Sequence, residues 1–152
     1  MLDTGILRKK VVANKKDMEK VINILMSIGY TQCSINDSNE QYRLITRIPE
    51  KDNNIGKRVY NMYVRIFLVE MDVERVYKFY SQRESCYYYS YISFDYIEGR
   101  ELIILEFLYR YFKLFQDDIF LNKSGYVYTK EDIEKVYCNK DSNWIYNSPD
   151  AL

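Results

Sequence analysis

Apolar and polar residues alternate most clearly over residues 58–69, where Tyr60, Met62, Val64, Ile66 and Leu68 share one side at a two-residue period. That period predicts a strand with one face on a core. Further stretches predict strands over 6–13, 30–35, 41–48 and 86–97, the last rich in residues that suit a pleated surface. The polar cluster Asn36, Asp37, Ser38, Asn39 predicts the turn joining two of them. Helical spacing replaces alternation at Met18, Val21, Ile22, Leu25 and Ile28, with Asn14 as N-cap, Asp17 in the first turn and Gly29 as the stop. Asp72 opens a short helix carrying Val73, Val76, Tyr77 and Tyr80 on this reading.

Residues 100–116 form the most apolar helical segment. Leu102, Ile103, Leu105, Phe107, Leu108, Phe112, Leu114 and Phe115 wrap most of its surface and leave Glu106, Arg110 and Lys113 as a narrow polar stripe. Such a helix is expected at the centre of the molecule, with Leu105, Phe112, Ile66 and Phe94 in the core. Residues 119–121 and 126–128 predict a small hairpin across 122–125, and Thr129 with Asp132 opens a last helix through an approximate capping box. Trp144 and Tyr146 are expected to pack back onto the domain. Residues 1–152 therefore read as one α+β domain, an antiparallel or mixed sheet with helices packed mainly on one face.

Composition narrows the function classes. Hydrophobic residues are 47% and charged residues 29% of the 152, as in a globular protein. Lys plus Arg equals Asp plus Glu at 22 each, without the basic excess of a chain that lives on phosphate contacts. The three cysteines, Cys33, Cys86 and Cys138, form no C-x-x-C pair and read as buried thiols in a reducing cytoplasm. No apolar run is long enough to span a bilayer, and no signal peptide is read after Arg8, Lys9 and Lys10.

Histidine is absent, which removes Ser-His-Asp and Cys-His catalysis and imidazole-dependent zinc sites. Asp117 and Asp118 read as solvated turn residues, and Glu131 and Asp132 as acids favoured in a helix first turn. Asp37, Asn39 and Gln41 lack the glycine and distal glutamate of a calcium loop. Gly56-Lys57 lacks the upstream glycines of a phosphate loop. The expectation is no enzyme, no metal and no cofactor.

Facing carries the site prediction. In the strand from Cys86, alternation sends Tyr88, Ile92, Phe94 and Tyr96 inward and Tyr87, Tyr89, Tyr91, Ser93 and Asp95 outward. The same rule places Tyr63, Arg65 and Phe67 outside on the preceding long strand, and Arg43 and Arg47 outside on the one before it. These eight tyrosine, arginine and phenylalanine residues are the predicted partner-binding set, because such side chains are enriched where proteins meet. Two alternatives stay open: Trp144 and Tyr146 cover this face as a second core, or a one-residue register shift swaps the faces.

The run from Phe94 to Leu114, then Asp117-Asp118, a hairpin and Tyr128-Thr129-Lys130-Glu131-Asp132-Ile133, resembles the C-terminal part of small cytoplasmic immunity proteins of bacterial polymorphic-toxin systems. The resemblance covers about a quarter of the chain and carries over no catalytic residues. It implies a non-enzymatic inhibitor that binds and neutralises a protein partner such as a toxin or other effector. The alternatives are a nucleic-acid-binding module that stacks bases on a tyrosine-rich sheet, and a small enzyme or ligand-binding protein with a pocket beside the 100–116 helix.

Overall fold

Ile6 and Leu7 are chain neighbours and both are buried, yet they belong to different hydrophobic clusters. Successive strand residues point to opposite faces, so strand β1 (Gly5–Arg8) is packed on both sides. The computed structural model describes residues 4–9, 15–29, 32–38, 41–47, 62–67, 78–95 and 98–151. After β1 come α1 (Lys15–Ser27), β2 (Gln32–Ser38), β3 (Gln41–Arg47), β4 (Met62–Phe67), β5 (Lys78–Ser81), β6 (Cys86–Asp95), α2 (Glu101–Leu114), β7 (Ile119–Leu121), β8 (Val127–Tyr128) and α3 (Lys130–Asn139). Two short 3₁₀ turns, Trp144–Tyr146 and Pro149–Ala151, follow.

The strands make one sheet in the order β2-β3-β4-β6-β1-β7-β8, and neighbouring strands run antiparallel. β5 is an eighth strand off this path. β4 pairs with residues 92–95 of β6 and β5 with residues 86–89, so successive halves of β6 serve two partners. Helices α1, α2 and α3 each contribute to the larger cluster, on the face that holds Ile6, Ile92, Phe94 and Phe120. The smaller cluster on the opposite face joins Leu7, Tyr88, Ile119 and Leu121, with Phe79, Cys86 and Val127 packed against it. The protein is thus α+β, an antiparallel sheet with its helices on one face, as the pattern predicts.

Local chemistry accounts for the elements. α1 buries Met18, Val21, Ile24 and Leu25 on one stripe, and Gly29 follows it at φ 104°, a left-handed conformation that favours glycine. α3 starts at a complete capping box: the Thr129 amide donates to Asp132 Oδ2 at 2.9 Å, and the Asp132 amide donates to Thr129 Oγ1 at 3.4 Å. The hairpin β7–β8 pairs Phe120 with Tyr128, as expected. Asn122 holds its turn, accepting from the amides of Ser124 and Tyr126 at 3.0 and 2.9 Å.

Several expectations change. β2 continues through Ser38, with Asn36 and Asp37 opposite Arg43 and Tyr42, so the expected four-residue turn belongs largely to the strand. Register set by the facing strand overrides the turn preference of Asn and Asp. Tyr80, expected in a helix, lies in β5 and pairs with Tyr87; Asp72, Val73, Val76 and Tyr77 lie outside the described residues. α2 is less enclosed than predicted. Leu102 and Leu114 are exposed, while Tyr111 is fully buried among Phe107, Phe112 and Phe115. Cys138 is exposed and Cys86 half-buried, against the expectation of buried thiols.

Gly5 marks a close approach of β1 to β6. A Cβ there would run into the backbone carbonyl of Ile92 on β6. Gly5→Ala is therefore expected to displace β1 or β6 and cost about 1–3 kcal/mol. Urea denaturation checks this, and an unchanged midpoint would mean that the two backbones are not in such close approach.

Candidate functional site

The register of β1 with β7 pairs Leu7 with Ile119, so the next step brings Arg8 beside Asp118. Arg8 Nε donates to Asp118 Oδ2 at 2.8 Å, and Nη1 donates to Asp17 Oδ2 of α1, also at 2.8 Å. The Tyr111 hydroxyl of α2 donates to Asp118 Oδ2 at 2.7 Å. The guanidinium lies 3.8 Å from the centre of the Tyr91 ring and 4.7 Å from that of Phe115, in cation–π positions. Arg8 and Asp118 are each only 9% exposed. One cation thus ties β1, α1, α2 and the start of β7 together under two aromatic rings.

Asp118 is not the solvated turn residue expected from sequence. Its partners are 7 and 110 residues away, and only the sheet topology unites them. The available signal was Tyr111, whose hydroxyl on the apolar side of α2 needs a partner once buried. Burial pushes the Asp118 carboxyl above its ordinary range, and Arg8 only partly offsets this. Burial also raises Tyr91, and Tyr111 well above the usual phenol value. Burial opposes the charge on Arg8, but Tyr111, Asp118 and Asp17 outweigh it and keep the guanidinium protonated.

A raised carboxyl binds its proton more tightly in the folded state. Its stabilising contribution is present at low pH and is lost as pH rises through the folded value. The wild type is therefore expected to gain stability relative to Asp118→Asn as pH falls from neutrality into the window just above 3.8. Urea titrations across that window test it. A relative loss by the wild type would show that pairing with Arg8, rather than burial, dominates.

The predicted binding set divides at a β-bulge. Ile6 faces Ile92 and Leu7 faces Ser90, so Tyr91 is the extra residue of β6. A bulge reverses the alternation beyond it. Tyr91 consequently joins Ile92 in the helix-side core at 3% exposure, while Tyr88 belongs to the cluster on the other face. Tyr91 is thereby corrected from surface to core, and Tyr87 and Tyr89 no longer share a face with Ser93. Arg43 faces Arg65 and Arg65 faces Ser93 in one register row, with Tyr63 opposite Ile45 and Asp95. Arg47 pairs with Gln32 and Phe67 with Gln41 in the same registers.

Trp144 and Tyr146 do not cover the predicted binding face. Trp144 packs into the helix-side cluster, and its Nε1 donates to the Glu101 carbonyl at 2.8 Å. The exposed Tyr146 hydroxyl donates to Glu101 Oε1 at 3.0 Å. Among the described residues, Tyr80 and Tyr87 on the hairpin of β5 and β6 are aromatic side chains that meet each other while exposed to solvent. Their rings meet edge to face with centroids 5.0 Å apart, and they are 49% and 53% exposed.

Beside this pair runs a groove of about 450 Å³ between the β5–β6 turn, β8 and the second 3₁₀ turn. Phe79, Ile119 and Val127 give it an apolar lining, and Arg83, Glu84, Asp132 and Asp150 add charge. Among the described residues no cluster of three metal-ligating side chains occurs, and no helix is long and apolar enough to cross a membrane. Comparison with known proteins returns no matching family model, curated protein or solved structure.

Proposed function

We propose that this chain is a non-enzymatic protein-binding inhibitor that neutralises a partner such as a toxin or effector. The observation that carries the reading is the solvent-facing Tyr80–Tyr87 pair. Two half-exposed tyrosines held ring to ring offer large apolar area, polar tips and little freedom to lose, which is the chemistry of interface anchors. The buried Arg8–Asp118 network supports the same reading from the other side. Its charged groups are occupied with one another and brace the fold. The likeness of the region from Phe94 to Ile133 to immunity proteins favours a toxin as the partner class.

With a partner captured through a photo-cross-linker at position 87, Tyr87→Ala is expected to weaken binding by about 2 kcal/mol or more. The same change should alter stability by only about 0.5 kcal/mol. Lost stability with unchanged affinity would contradict an interface role.

A second reading is favoured by one observation, the direct cross-strand pairing of Arg43 with Arg65. Arginine residues paired across adjacent strands suit an anionic partner such as a nucleic-acid backbone. Binding of single-stranded RNA that falls steeply with salt and with Arg65→Ala would support this nucleic-acid reading over the first.

A further inference from the structure

Three features of the groove converge. Among the described residues β5 pairs with β6 alone and β8 with β7 alone, so each presents an outer edge, and the groove lies between these strands. An outer strand edge is a row of backbone donors and acceptors able to pair with another extended chain. The groove's apolar lining, Phe79, Ile119 and Val127, belongs to the smaller hydrophobic cluster. Its charged lining has three carboxylates, Glu84, Asp132 and Asp150, against the one guanidinium of Arg83, and the Lys9 ammonium lies 4.0 Å from Glu84.

We infer that this groove receives an extended segment of the partner protein, added as a strand along the outer edge of β5 and carrying both apolar and basic side chains. This rests on the protein-binding reading above. The lining decides the sequence of the guest: side chains over Phe79, Ile119 and Val127 are apolar, and those toward Glu84 and Asp150 are basic. The negative balance of the rim disfavours a nucleic acid or an acidic peptide in this position. Tyr80 lines the groove while its partner Tyr87 stands next to it on β6. A guest strand here therefore continues into the surface already assigned to the partner.

The test uses the full chain, isotopically labelled, and a blocked synthetic peptide of alternating valine and lysine. Amide shifts are expected at residues 78–84 and 126–129. N-methylation of alternate peptide residues should weaken binding about tenfold or more, and so should Glu84→Lys combined with Asp150→Lys. A glutamate-valine peptide is expected to bind at least about tenfold more weakly than the lysine one. No shifts at roughly 1 mM peptide, or shifts indifferent to N-methylation or to the charge reversals, would overturn the inference. Failure here, alongside Tyr87-dependent capture of a partner, would remove the groove and leave the protein-binding reading standing.

Discussion

Arg8→Met is expected to cost about 3–5 kcal/mol of stability. Methionine keeps much of the aliphatic volume, so the loss is mainly electrostatic. Without the guanidinium, Asp17 and Asp118 lose the shared cation that each contacts at 2.8 Å. The carboxylate of Asp118 would then stay buried with Tyr111 as its remaining side-chain partner at hydrogen-bond distance. Tyr91 and Phe115 also lose the cation above their rings. Because Arg8 and Asp118 share one contact, Arg8→Met with Asp118→Asn should lose less than the sum of the single changes. Denaturant unfolding of the four proteins in the cycle measures both effects. A loss below about 1 kcal/mol for Arg8→Met would place the pair in the class of weak surface bridges.

Phe112→Ala is expected to be similarly severe, about 3–5 kcal/mol. Phe112 is 1% exposed and sits in the larger cluster, edge to face with Tyr111 at a centroid distance of 5.7 Å. Truncation removes its buried area and leaves a cavity between α2 and its neighbours, which close packing prevents from collapsing fully. The two losses arise differently. The Phe112 defect should be nearly independent of pH, whereas the Arg8 defect should ease as Asp118 takes up its proton in acid. Parallel thermal melts at neutral and acidic pH separate them, and equal pH dependence would contradict the assignment of Asp118.

Local patterns made much of the fold legible. The capping box at Thr129, the stop at Gly29 and the hairpin across Asn122 depend on a few adjacent residues, and the sequence displays them directly. The burial of Leu105, Phe112 and Phe94 follows from periodicity. What stayed hidden depends on contacts between distant segments. Asp118 looks like a turn acid because nothing near it reveals Arg8, 110 residues away. The expected tyrosine face failed for a related reason: the one-residue bulge at Tyr91 is defined by pairing with β1, and period-two counting cannot see it. It moved Tyr91 into the core and separated Tyr87 and Tyr89 from the row of Arg43 and Arg65. Tyr80 escaped notice because the approach to β5 has helical spacing, while its pairing with Tyr87 comes from the sheet.

Hydrogen–deuterium exchange of the chain, free and bound to its captured partner, tests the partner-binding claim most directly. Binding through the Tyr80–Tyr87 hairpin predicts that amides of residues 78–89 slow on complex formation, with the helices α1, α2 and α3 unchanged. Protection confined to β3 and β4, with no change across residues 78–89, would contradict the account and move the interface to the arginine rows of the sheet.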